Sequence, residues 1–252
     1  MALIELIDVH KTLGGKKVLA GMNLAINRGE TYTIIGRSGI GKSVTLKHIV
    51  GVMKPDSGRV IVDNIEVQNL SRRQLERFRA KFGYLFQSSA LLNSLNVLEN
   101  VALPLREHTK MSESEIRDRV AQKLALVGLK GTEKIMPSEL SGGMRKRVAL
   151  ARAIVMEPEI ILYDEPTTGL DPITSDAINE LIREMQSRLK VTSVVVTHDM
   201  KSAYKISDRI GLLHEGRIIQ EGTADDIRQS DDPRVKQFIN GEAVGPLTTV
   251  RD

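Results

Sequence analysis

Eight residues, GRSGIGKS from Gly36 to Ser43, constrain this chain more than any other stretch. They fit G-x-x-x-x-G-K-[ST] at every fixed position. The apolar run TYTIIG leads into them and KSVTLKHIVGVM leads out. A strand that passes through such a turn into a helix is a phosphate-binding loop. Its glycines let successive N–H groups turn inward, and the helix points its positive end at the same place. Gly36, Arg37, Ser38, Gly39, Ile40, Gly41, Lys42, Ser43 and Val44 are therefore the expected nucleotide contacts. Lys42 would reach the β and γ phosphates as a point charge, and the Ser43 hydroxyl suits Mg²⁺.

The surrounding pattern agrees with an α/β fold. LIELIDV and VLAGMNLAI read as strands, with Gly14-Gly15 and Arg28-Gly29 as turns. Val44, Ile49, Val50 and Met53 have helical spacing, stopped by KPDSG, and GRVIVDNIEV predicts two short strands around Asp63-Asn64. The middle is helical: Ser71 with Gln74 and Ser112 with Glu115 are capping-box pairs, and Ile116, Val120, Leu124 and Val127 form a stripe ended by Gly128. EIILYDEP, a helix through Ile178, Leu181, Ile182, Met185 and Leu189, VTSVVVTHD and the hairpin RIGLLHEGRIIQEG complete the chain. Apolar strands without alternation, separated by amphipathic helices, predict a parallel sheet covered on both faces. The tail from Asp231 has few apolar residues and predicts little core of its own.

Composition narrows the function classes. No cysteine means no disulfide, thiolate metal site or cysteine nucleophile, and the five histidines never take metal-ligand spacing. There is no apolar run of bilayer length, and MALIELIDVHK lacks the pattern of a signal peptide, which fits a cytosolic protein. Thirty-six Lys and Arg against 32 Asp and Glu leave only +4. The basic cluster Arg72, Arg73, Arg77, Arg79 and Lys81 reads as a solvated face. With 3% aromatics and no basic–aromatic interleaving, no nucleic-acid partner is expected.

Three further sites carry chemistry. Ile160 to Tyr163 predict a buried strand that delivers Asp164 and Glu165 to its C-terminal end, where open α/β sheets bind ligands. Adjacent strand residues point to opposite sides, so the two carboxylates should do different jobs. Asp164 would hold Mg²⁺ and Glu165 would polarise the attacking water. His198, at the end of VVVTHD, could contact a γ-phosphate. LSGGMRKRVALARAI then places Ser141, Gly142 and Gly143 at a second helix start suited to phosphate.

The phosphate loop, Gln87 in YLFQSS, LSGGM, ILYDEP, TGLDP and VTHD occur in that order over nearly the whole chain. Together they resemble the ATP-binding subunit of an ABC transporter. The resemblance implies a P-loop NTPase fold with an N-terminal antiparallel β region and a helical subdomain, about residues 88–145, between Gln87 and the signature motif. It implies a cassette over 1–240 and a tail over 241–252 that could contact a second subunit. It also implies a head-to-tail homodimer using ATP and Mg²⁺, in which Ser141, Gly142, Gly143 and Met144 act in trans on the partner's nucleotide. Glu165 would be the base, His198 the switch histidine and Lys42 the phosphate anchor. Ser43, Gln87 and Asp164 would surround the metal, with Gln87 also coupling to a membrane partner and Asp171 signalling across the dimer.

Two positions depart from the family's usual pattern. Leu13 stands where an aromatic residue ordinarily stacks on adenine, so apolar contact from Leu13 and Val18 would replace stacking and GTP could be accepted. Met144 replaces the common glutamine. LSGGM, GRSGIGKSV, DPITSDAINELI and DPRVKQFINGEAVGP further resemble the ATPases of Mla/Mce-type lipid transporters. That resemblance implies phospholipid transport between envelope membranes, with the subunit peripheral on the cytoplasmic face of the inner membrane. Its partners would be a polytopic permease, an MCE-domain lipid-binding protein and, in some systems, a STAS-domain regulator. A solute-importer ATPase for amino acids or metals, or a non-transport ABC ATPase such as an iron–sulfur assembly component, are the alternatives.

Overall fold

A computed structural model of the chain describes residues 2–248. In chain order the elements are β1 (Ala2–Leu13), β2 (Lys16–Asn27), β3 (Thr31–Ile35), α1 (Lys42–Ile49), β4 (Ser57–Val62), β5 (Ile65–Glu66), α2 (Arg72–Arg79), β6 (Phe82–Leu85), α3 (Val97–His108), α4 (Glu113–Leu126) and α5 (Gly142–Ile154). They continue with β7 (Ile160–Asp164), α6 (Pro172–Leu189), β8 (Thr192–Thr197), α7 (Met200–Ile206), β9 (Arg209–His214), β10 (Arg217–Gly222), α8 (Ala224–Arg228) and α9 (Pro233–Asn240). Two compact units result: Met1–Leu75 with Val194–Asp252, and Glu76–Ser193. No helix among the described residues is long and apolar enough to cross a membrane.

In the first unit, β1 is the centre of an antiparallel sheet of order β2-β1-β4-β5. Leu6 lies opposite Leu24 on one side and Val60 on the other. Leu6, Leu24, Ile26, Val60 and Val62 are buried while their strand neighbours are not, as expected of a sheet with one covered face. β3 is different: all five residues are buried, and it pairs in parallel with β9. β9 turns back into β10 through Glu215 and Gly216, at φ 45° and 75°, which is the left-handed pair that a two-residue hairpin turn needs.

Two expectations change here. The helix after the phosphate loop does not reach Met53. It ends at Ile49, because Gly51 takes φ 68° and its N–H closes on the His48 carbonyl at 3.0 Å, just after the Val50 N–H has bonded the Leu46 carbonyl. Val44 is only half-buried, and Leu46 takes the core position. The tail also has more core than its composition suggests. Its apolar residues fall at helical spacing on α9, so Val235 is fully buried with Ile35, Ala203, Ile210, Leu212 and Ile227, and Phe238 and Ile239 pack against them. Residues 241–248 then fold back. Leu247 N–H donates to Gln237 Oε1 at 2.7 Å, and Arg37 of the phosphate loop donates to the Leu247 carbonyl at 2.7 Å. Residues 249–252 of the tail lie outside the described residues.

In the second unit β6 and β7 pair in parallel, Gly83 opposite Ile161. Two capping boxes form in this stretch, the expected Ser112 with Glu115 on α4 and, not anticipated from the sequence, Asn96 with Glu99 on α3. Each cap satisfies N–H groups that the helix cannot and contributes about 1 kcal/mol. Ile116, Val120, Leu124 and Val127 are buried as a stripe, and Gly128 ends the helix at φ 71°. α3 and α4 lie within 88–145, and α5 begins at Gly142.

Candidate functional site

The phosphate loop joins β3 to α1 in the first unit. Gly41, at φ 114°, precedes the helix; a Cβ there would meet Val18 Cγ1 at 2.8 Å, so only glycine fits. Without a side chain it cannot cap α1, and no acidic residue occupies the first turn. The start of α1 thus keeps the positive character that favours a bound anion. Lys42 is 5% exposed, and its ammonium donates to the carbonyls of Gly36 at 2.8 Å and Arg37 at 3.1 Å. The cation therefore arches over the loop that it would share with a phosphate.

Beside the loop lies a cavity of about 370 Å³, lined by Lys16, Lys17, Val18, Ala20, Arg37, Gly39, Ile40 and the His214–Gly216 turn. Val18 belongs to this lining; Leu13 does not, standing at the end of β1 opposite Lys16 and 37% exposed. A ring at position 13 would supply the missing stacking face. Leu13→Tyr is expected to tighten ATP relative to GTP by about fivefold, the worth of ~1 kcal/mol of aromatic contact. Competitive displacement of a fluorescent nucleotide measures the ratio, and an unchanged ratio would remove the base from position 13. His198 is exposed in the turn between β8 and α7. That turn is fixed by Asp199, which caps α7 through Lys201 N–H at 3.0 Å while its own N–H donates to Thr197 Oγ1.

The second unit holds the carboxylates. Asp164 is the last residue of β7, 8% exposed, and accepts the Tyr84 hydroxyl at 3.2 Å on Oδ2. Burial, then the Asp164 charge, push the Tyr84 phenol well above its ordinary range, so it remains a donor. Glu165 is not where the strand pleat would put it. It sits beyond β7 at φ 49°, a left-handed conformation costly for a non-glycine residue. The direction of Glu165 is therefore set by this backbone turn rather than by strand alternation. Thr168 donates to Glu165 Oε2 at 3.1 Å and steadies the carboxylate.

Gln87 is exposed two residues past β6. Ser141 caps α5, its Oγ accepting the Met144 N–H at 3.2 Å, so this helix start differs from that of α1 in being capped by its own side chain. Gly143 is needed by packing: a Cβ would meet Thr174 Cγ2 at 2.5 Å. Gly142 and Met144 are half-buried. Asp171 caps α6 through the N–H groups of Ile173 and Thr174, both at 3.0 Å, and the Thr174 hydroxyl with these amides holds its carboxyl below the usual range.

No group of three His, Cys, Asp or Glu gathers as a metal cage among the described residues. Ser43 and Asp164 nevertheless offer the hydroxyl and carboxylate oxygens that suit Mg²⁺. This ion is ordinarily held by one or two such groups together with nucleotide phosphates and water. Sequence reasoning missed Tyr84, Thr168 and Lys146. The first two support residues that it did name. Lys146 was legible as an oddity, since Gly143, Lys146, Leu150 and Ala153 follow the spacing of α5's buried face.

With this geometry established, the chain can be compared with known proteins. It is 43% identical over 245 residues to the intermembrane phospholipid transport system ATP-binding protein MlaF of Escherichia coli strain K12, covering 97% of this chain and 91% of that one. It is also 43% identical over 244 residues to a Mycobacterium tuberculosis (strain ATCC 25618 / H37Rv) protein named "Probable ribonucleotide transport ATP-binding protein mkl", covering 97% of this chain and 68% of the relative. Among solved structures, the dimeric post-hydrolysis state of the ATP-binding cassette MJ0796 bound to ADP and Pi superposes with a TM-score of 0.81. The identity is 37%, over 88% of this chain and 98% of that one. The ABC transporter family profile matches residues 19–168, a span that includes the phosphate loop, Gln87, Ser141 and both carboxylates. The chain belongs to the ABC transporter family.

Proposed function

We propose that this ATPase drives phospholipid transport between the membranes of a bacterial envelope. The observation that carries the reading is the nearly end-to-end match to MlaF, 97% of this chain and 91% of that one. The relative named for ribonucleotide transport is equally identical, which favours a second reading, but about a third of it lies outside the match. The subunit would sit as a homodimer on the cytoplasmic face of the inner membrane. A polytopic permease would bind it, with an MCE-domain lipid-binding protein beyond the permease and a STAS-domain protein as regulator. Residues 241–252 would contact the second ATPase subunit.

The residues divide the chemistry as follows. Lys42 and the first-turn amides of α1 bind the β and γ phosphates. Val18 and Leu13 give the base apolar contact. Ser43, Asp164 and Gln87 would hold Mg²⁺, which would supply charge neutralisation on the phosphate oxygens when bound. Glu165 accepts the proton of the attacking water as its oxygen bonds to the γ-phosphorus and the bond to the β,γ-bridging oxygen breaks, leaving ADP and phosphate. His198 donates to the γ-phosphate. Ser141 and Gly143 of the partner subunit close over it, and Asp171 links the two sites.

The test is purification of tagged Glu165→Gln protein from detergent-solubilised membranes with ATP and Mg²⁺. Co-purification of a polytopic permease, an MCE-type protein and phospholipid is expected. A permease without lipid would move the function to solute import, and a purely soluble partner would mean that the motor drives something other than transport.

A further inference from the structure

Beyond its capped start, two of the cations on α5 reach the loop that holds Gln87. Lys146 is 4% exposed, and its ammonium donates to the backbone carbonyl of Gln87 at 2.5 Å and to that of Glu165 at 3.3 Å. Arg152 reaches the same loop further along, donating to the carbonyls of Ser89 and Ala90, each at 2.7 Å. Ser89 and Ala90 have φ of 64° and 46°. Two consecutive non-glycine residues in the left-handed region do not hold themselves there. The loop after Gln87 is kept in shape by bonds from α5 to three of its carbonyls.

A buried ammonium is costly unless its charge and donors are used. Burial presses Lys146 toward its neutral form, while the carboxylates of Asp164 and Glu165 favour the cation. An apolar side chain would fill this place on the buried face of α5 without that cost. What the lysine adds is a tie between two backbones, those of Gln87 and Glu165. Glu165 is then held from both ends, by Lys146 on its carbonyl and Thr168 on its carboxylate. Its left-handed backbone needs such support.

We propose that Lys146 is the positioning residue of Glu165, joining the Gln87 turn, the Ser141 helix and the Glu165 backbone into one mechanical body. A displacement of the Gln87 turn is then delivered to Glu165 instead of being absorbed by the loop. The inference rests on Glu165 being the general base.

Lys146→Met keeps the length of the side chain and removes its charge and donors. It is expected to lower kcat by ~10- to 100-fold, the usual consequence of misplacing a reacting group, with ATP affinity within about twofold. In a Glu165→Gln background the same change should cost nothing further, because the base that it aims is gone. Lys146→Arg, which retains a cation, should recover part of the rate. Amide hydrogen exchange at residues 87–91 should speed up in both Lys146→Met and Arg152→Met, while Arg152→Met, which does not touch Glu165, loses less kcat. An unchanged kcat in Lys146→Met overturns the proposal. So does a loss that persists undiminished in the Glu165→Gln background, or one matched by equal losses of ATP affinity and thermal stability. If Glu165→Gln itself turns over at full rate, the base assignment has failed, and exchange at 87–91 still decides whether the clamp exists.

Discussion

Glu165→Gln should bind ATP and fail to hydrolyse it, with kcat reduced by about 10²- to 10⁴-fold, the range that a positioned general base contributes. The substitution is nearly isosteric and leaves the Thr168 hydroxyl an oxygen to donate to, so the local structure around φ 49° should survive. What disappears is the proton acceptor. Binding is expected to hold or tighten, because the change deletes a negative charge that would face the γ-phosphate. ATP should then accumulate at the composite sites and keep two subunits together. Single-turnover hydrolysis and light scattering with ATP and Mg²⁺ read the two consequences separately. Wild-type turnover in this variant would reassign the base. A loss of turnover with a monomer that no longer binds ATP would point to a folding lesion instead.

The parts of this molecule that the sequence made legible are those governed by neighbours in the chain. GRSGIGKS announces a strand, a turn and a helix because the glycines and the flanking apolar runs are contiguous, and the structure has β3, the loop and α1 in those places. The capping pairs at Ser71 and Ser112 form for the same reason, their partners being three residues away. Errors appear where a local signal competes with another or where the partner is distant. Val50 and Met53 continue a helical spacing, yet Gly51 ends the helix first by taking φ 68°. Strand alternation cannot describe Glu165, because the chain leaves the strand one residue earlier. The tail looked coreless by composition, whereas three apolar residues at the right spacing suffice to seat α9 on the Ile35 cluster. Lys146 stood out by its spacing on the buried face of α5, but its contacts did not. Its acceptors lie 59 and 19 residues away, and both are backbone carbonyls, which carry no mark in a sequence. The roles of Gln87 and Asp171 came from resemblance rather than from their surroundings, as did the switch role of His198, for which strand-end position alone suggested a γ-phosphate contact; each is exposed in a turn or at a helix start.

Lys42→Ala should abolish useful nucleotide binding, weakening the Kd by at least about 100-fold. The ammonium would make charge-assisted bonds to phosphate oxygens, each worth about 1.5–3 kcal/mol, and 1.4 kcal/mol is a factor of ten. The structure adds a second effect. Lys42 also donates to the carbonyls of Gly36 and Arg37, and removing it strips the loop of two internal bonds. The apo protein is therefore expected to lose some thermal stability as well as affinity. The two effects separate cleanly because ligand binding raises Tm only in proportion to the affinity for the folded state. A variant that melts cooperatively a few degrees early, and whose Tm no longer responds to ATP, has lost the phosphate anchor from an otherwise folded loop. Lys42→Arg sharpens the comparison: it keeps the charge but replaces a compact ammonium with a rigid planar fork, which cannot arch over the loop to the same two carbonyls. If both variants still show the wild-type Tm response, the phosphates lie elsewhere and Gly36 to Ser43 is a structural turn.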